Sequence, residues 1–292
     1  EKSEYGESSL KRNPTSPRTL FGLVMSGIAG LFTLAAIIPL LIILSYLITK
    51  GVSSLSAAVF TELPPPPLVD GGGFGNAILG TVLMVGIGAL ISIPLGIMAA
   101  IYLSEFNEGK VAEWIRFATN VLSGVPSIIV GVFAYGVIVL TFKSYSAWAG
   151  GFALSILMLP IIVRTTDESL KLVPQDVRQA SVGIGANQYQ TVLQVVLPAA
   201  LPAIITGITL AIARAAGETA PLLFTALFTQ FWPNWDALLV EPTASLAVLV
   251  YNFAIVPFKN QQELAWGAAF ILVMLVLFTS ILSRVATAKR TY

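Results

Sequence analysis

The chain contains no cysteine and no histidine. Their absence excludes disulfides, thiolate nucleophiles, imidazole acid–base chemistry and metal sites built on either residue. Charge is nearly as scarce, at 11% of 292 residues, where a soluble domain carries about a quarter. The 16 Lys+Arg and 15 Asp+Glu almost cancel, and no basic stripe exists that could track a nucleic acid. A phosphate-cradling G-x-x-x-x-G-K-[ST] loop is missing too, because Gly109-Lys110 runs straight into Val111. What fills the space is apolar: 56% of the residues are hydrophobic, which makes this an integral membrane protein by composition.

A hydrocarbon core about 30 Å thick needs about 20 apolar residues in a helix. Six stretches qualify: Leu20–Ile48, Ala77–Leu103, Asn120–Phe142, Ala147–Val163, Leu201–Phe224 and Leu264–Leu282. The fourth is the shortest. The first is long enough to tilt or to project beyond lipid, and Pro39 is placed to bend it. It is too long for a signal-peptide core and reads as a retained anchor. The numbering opens on Glu1, so we expect the native start to lie upstream.

Positive charge sets the orientation. With the N-terminus cytoplasmic, the inner segments hold Lys2, Lys11, Arg12, Arg18, Lys110, Arg116, Arg164, Lys171, Arg178, Arg284, Lys289 and Arg290. The outer segments hold only Lys50, Lys143 and Lys259. Both termini are therefore expected inside. Thr243–Val256 is too short to span comfortably, and we expect a re-entrant or interfacial segment there. The outer connector FTELPPPPLVDGGGFGNA is stiffened by its prolines and turned by Gly71–Gly73. The expected division is a polar tail at 1–17, a first span and outer connector at 18–76, a core at 77–284 and a tail at 285–292.

The most informative stretch is DVRQASVGIGANQYQTVLQVVLP, Asp176–Pro198, which the charge rule places inside. Gly185 is suited to end one short helix in the left-handed conformation. Pro198 suits the first turn of the following span. The spacing resembles the EAA loop of ABC-importer permeases: Gln179-Ala180-Ser181 stands for E-A-A, Gly185 for the glycine, Val195 for the isoleucine, and Leu197-Pro198 closes it. Gln179 and Ser181 depart from the pattern. Further stretches, IPLGIMAAIYLSEF, GVPSIIVG, LPIIVRTTDESLKLVP and ARAAGETAPLLFTA, are similar to the phosphate-uptake branch, and the ending from FWPNWD onward to the PstA-type subunit. Ala247 replaces a proline usual in that branch.

The resemblance implies an all-α, six-span, type I importer permease (MetI-like) fold whose coupling helices dock in a groove of an ATPase and move as a lever. It also implies partners: a PstC-type second permease, two PstB-type ATPase subunits that use ATP and Mg, and a periplasmic PstS-type phosphate-binding protein. No cofactor or metal is expected on this chain, and no catalytic residue. LSGVPS, Leu122–Ser127, begins like an ATPase signature but stands at the start of an apolar span, a coincidence.

One charge pair remains. Between Pro198 and Phe228, Arg214 and Glu218 are the only charged residues. An unpaired charge at the bilayer centre costs at least about 2.5–3.5 kcal/mol on insertion scales. Four residues apart, the two are expected on one helix face, within reach of each other. Two readings stand. The pair neutralises itself and joins two subunits, or Arg214 offers its guanidinium fork to an oxyanion while Glu218 takes the fork back and prevents over-tight binding. Thr219 and Thr209 are candidate neutral donors. Gly207, Ala211 and Ala215 recur every fourth residue on the adjoining face and suit close helix approach, either within the chain or at a subunit boundary. An importer of another oxyanion, such as sulphate or molybdate, carries the same arginine chemistry. An energy-independent channel or secondary transporter would not need the coupling loop.

Overall fold

Proline and glycine set the breaks in a chain that is otherwise helical almost throughout. The computed structural model describes residues 16–106, 109–237 and 240–288. Most of the expected tails, with Lys2, Lys11, Arg12, Lys289 and Arg290, lies outside the described residues. Contacts divide the chain into two units, Glu1–Thr49 and Lys50–Tyr292.

The first unit is helix α1, Pro17–Ser53, which continues four residues into the second and keeps Pro39 inside it. Short α2, Ala58–Thr61, lies in the outer connector. Then come α3 (Gly75–Ile101), ending in a wide π turn at Tyr102–Phe106, and α4 (Lys110–Gly124). Helix α5 (Ser127–Ala134) passes through a second π turn into α6 (Leu140–Phe142). The long helix α7 covers Ala147–Lys171. Helices α8 (Gln175–Gly183) and α9 (Gln188–Thr191) precede α10 (Leu197–Ala216) and α11 (Ala220–Thr225). Helices α12 (Leu246–Ala254) and α13 (Lys259–Ala288) close the chain. Among the described residues five helices are long and apolar enough to cross a membrane, and the bent pair Lys110–Gly124 with Ser127–Phe142 makes a sixth.

Two expectations need correction. The third span is not one rod beginning at Asn120. The chain turns by 107° between α4 and α5. Pro126 forces the residue before it out of the helical region, and Val125 accordingly sits extended at φ −73°, ψ 128°. The fifth span, expected to run to Phe224, stops at Ala216. Gly217 caps it, and Pro221 in the first turn of α11 restarts the chain as a separate short helix.

The shortest expected span turns out to be the centre. Helix α7 runs 25 residues, on to Lys171, and is the most enclosed of the spanning helices. Ala147, Ala149, Gly150, Gly151, Ala153 and Ser155 are all buried along its N-terminal half. Small residues let neighbouring helices approach closely and take the place of the large side chains that lipid-facing helices show. Met84 of α3, Leu154, Met158 and Ile162 of α7, Ala211 and Ala215 of α10, and Leu222 of α11 form one core cluster.

Thr243–Val256 forms no spanning helix. Its helix, α12, has nine residues, about 13 Å at 1.5 Å each, too short to span. Leu246, Leu249 and Phe253 are buried in a second cluster with Phe74 and Leu264. The backbone at its entry is satisfied by protein: Leu246 N–H donates to Thr81 Oγ1 at 2.8 Å and Val248 N–H to Ser245 Oγ at 3.3 Å.

Candidate functional site

Helix α10 has two unlike faces. Ala200, Ile204, Gly207, Ala211 and Ala215 are buried, three or four residues apart as one stripe of a helix requires. A Cβ on Gly207 would stand 2.1 Å from Thr165 Oγ1 of α7, so the backbones meet there with no room for a side chain. The small-residue stripe is thus an intrachain contact. The opposite stripe, Ala203, Thr206, Leu210, Arg214 and Gly217, is exposed.

Arg214 lies in the last turn of α10, and its side chain is 57% exposed. Glu218 is not on the helix, as expected, but just past its end, in the break between α10 and α11. Glu218 N–H returns to the Ala215 carbonyl at 3.2 Å, which folds the residue back toward the helix. Its carboxylate Oε1 reaches Arg214 Nε at 3.5 Å, and its side chain is 16% exposed. The contact engages Nε only. Neither Nη group, the fork that reads an oxyanion, makes a hydrogen bond among the described residues. Thr219 caps α11 without a side-chain capping bond. Thr209 is otherwise occupied: its hydroxyl donates to the Ile205 carbonyl at 2.8 Å.

The segment at 176–198 folds as two helices around Gly185. That residue has φ +92°. Gly185 N–H donates to Val182 O at 2.9 Å and Ala186 N–H to Ser181 O at 3.2 Å, the paired closure of a Schellman motif. Asn187 and Gln190 then start α9 with a reciprocal capping box. Ser181, the departure from the family triplet, is buried and shares a 3.0 Å hydrogen bond with Thr191 Oγ1, which ties the two helices together. Gln179 and Ala180 are exposed, as is Ile184 at 88%.

Pro198 does not open a separate span. Gln188–Ala216 is one continuous 29-residue helix. The π turn at Val192–Val196, which contains Val195, precedes Leu197 and Pro198. The wider turn absorbs the hydrogen bond that a proline cannot make. The second helix of this helix–turn–helix is therefore the beginning of the helix that carries Arg214.

The structure also joins two residues that sequence reasoning kept apart. Arg178, counted before only for its charge, pairs with Glu105 in the π turn of α3. Glu105 ends an apolar span and Arg178 directly precedes the triplet. Their separation of 73 residues carries no periodicity that could connect them.

A multi-pass helical chain that bares Arg214 on a spanning helix and carries a helix–turn–helix at the start of that same helix has the make-up of a membrane transport subunit. Comparison with known proteins gives the particular kind. The family model for "Binding-protein-dependent transport system inner membrane component" matches residues 92–290. The phosphate transport system permease protein PstA of Yersinia pestis is 44% identical over 84% of this chain and 82% of its own length. PstA of Haemophilus influenzae is 41% identical over 92% and 93%, and the probable archaeal PstA of Methanocaldococcus jannaschii 32% over 87% and 88%. The chain belongs to this family of binding-protein-dependent permeases, among the PstA phosphate transport system permeases. The fold agrees. An inward-facing MetNI methionine ABC transporter aligns at TM-score 0.62 and 19% identity, covering 74% of this chain and 95% of that one. An alginate ABC transporter aligns at 0.63 and 14%, covering 92% and 98%.

Proposed function

We propose that this chain is one of two permease subunits of an ATP-driven phosphate importer, forming half of the translocation pathway and catalysing no covalent step itself. The observation that carries the reading is Arg214, on the face of α10 that the chain's own packing leaves open, with its Nη fork unengaged. A planar guanidinium presents parallel donors that fit a phosphate oxygen pair. Glu218, one ion-pair distance away, competes for the fork and opposes the anion's charge, so binding stays weak enough for release. Thr219, without a capping bond, supplies a neutral donor beside them.

The positive-charge distribution supports cytoplasmic termini and a cytoplasmic coupling segment. There Gln179, Ala180, Ser181 and the turn at Gly185 present the surface to an ATPase subunit, and Leu197-Pro198 passes the motion into α10. The second permease is of PstC type, the two ATPases of PstB type and the outer binding protein of PstS type. ATP and Mg are used by the ATPase, and this chain binds no cofactor. ATP binding draws the coupling helices together and opens the pathway outward, and hydrolysis resets it.

The test is labelled-phosphate uptake in cells lacking this chain, with sulphate as the second substrate. Loss of phosphate uptake with sulphate uptake intact supports the reading. The reverse pattern assigns the subunit to another oxyanion.

A further inference from the structure

Of the ion pairs among the described residues, Arg164–Glu168, Lys171–Asp167 and Arg214–Glu218 each join residues four apart. Arg178–Glu105 alone crosses between distant elements, and its side chains are only 17% and 6% exposed. Arg178 also donates from Nη2 to the Leu170 carbonyl at 2.7 Å and from Nε to the Val173 carbonyl at 3.4 Å. It therefore holds the carboxylate and, with its other nitrogens, a carbonyl in the last turn of α7 and one just past that helix, a use of the planar guanidinium that lysine cannot copy. The π turn at Tyr102–Phe106 carries Glu105. Ser104 Oγ donates to Glu105 Oε1 at 3.0 Å.

The second coupling helix reaches the same joint. Gln188 Nε2 donates to the Glu105 carbonyl at 2.7 Å, and the rings of Phe106 and Tyr189 lie 5.1 Å apart. The inner ends of α3 and α7 and both coupling helices thus converge on Glu105, held by one buried charge pair. A pair so withdrawn from water resists separation, because parting it would strand two charges in a low-dielectric site.

We infer that Glu105 and Arg178 are positioning residues for energy coupling, fastening the coupling helices to the inner ends of α3 and α7 so that all four move as one body and the pair stays closed through the transport cycle. The inference rests on the proposed importer reading, since it needs an ATPase to deliver motion.

The chain has no cysteine of its own, so an introduced pair meets no competing thiol within it, and the size of this subunit's cross-linked product identifies the intended bond. The experiment takes the complete importer in vesicles and compares wild type, Glu105→Cys/Arg178→Cys reduced, and the same variant joined by a short thiol cross-linker. Phosphate uptake and ATP hydrolysis are measured together. The expected result is a several-fold rise in ATP used per phosphate moved by the reduced variant, and a return toward the wild-type ratio on cross-linking. Loss of the remaining transport on cross-linking, reversed by reductant, would overturn the inference, because the pair would then have to open. An unchanged ratio in the reduced variant would overturn it too. If the double variant does not assemble, Glu105→Gln is measured instead: a raised ratio supports the inference and a wild-type ratio overturns it. Failure of the importer reading itself is distinguishable, since the wild-type vesicles would then move no phosphate.

Discussion

The face of α10 that carries Arg214 is not covered by the chain's own packing, which leaves the guanidinium open for the oxyanion contact proposed above. Two charge-assisted hydrogen bonds at about 1.5–3 kcal/mol each are at stake when it meets an oxyanion. Arg214→Gln is expected to lower phosphate uptake by at least about 100-fold, a factor that about 3 kcal/mol supplies. The permease complex should still co-purify, because the packed stripe of Gly207, Ala211 and Ala215 faces the other way. Unchanged uptake would remove Arg214 from the pathway. Glu218→Gln acts in the opposite sense: without the competing carboxylate, transport should half-saturate at lower phosphate while the maximal rate falls. Initial-rate curves for the two variants separate a binding residue from a release residue. Gly207→Ala tests the other face. Its new Cβ would collide with Thr165, and overpacking of that kind costs about 1–3 kcal/mol, read as a lower unfolding temperature.

At the scale of elements, the two-helix segment proposed to couple to the ATPase turns on Gly185 holding a positive φ of 92°. No atom crowds the position of its missing Cβ, so a substitution there is penalised through the backbone alone. Gly185→Val should cost about 1–2 kcal/mol in that conformation, loosen the two-helix turn and raise ATP consumption per phosphate transported. Measuring both quantities on one preparation checks it. The turn was legible in advance because a Schellman closure follows from local chemistry: a glycine at the right place after a short helix. The breaks at Pro126 and Gly217 were visible as letters, but the apolar runs continue through both, and hydrophobicity does not register where a rod bends. For the same reason Glu218 was placed on the helix rather than beyond it. Helix α7 misled in the other direction. Its small residues lower its hydropathy where close packing makes it the centre of the bundle. The Glu105–Arg178 joint was not legible at all, because which distant charges meet is decided by tertiary packing.

For the molecule as a whole, the account divides labour. In the proposed reading this chain supplies a path, Arg214 on that path, and a lever that belongs to the same helix, which is continuous from Gln188 to Ala216. The same reading has work enter from a separate ATPase, at the turn around Gly185 and through the joint at Glu105. The approximate number of spans was readable from composition and pattern, since the bilayer imposes apolar length on any helix that crosses it. The open face of α10 required the fold, because only packing shows which stripe of a helix is left uncovered. The most direct test of this division is accumulation of labelled phosphate in vesicles holding the complete complex and its binding protein, with nucleotide supplied to the ATPase or withheld. The account predicts uphill accumulation with ATP and none without it. Accumulation against the gradient in the absence of nucleotide would contradict it.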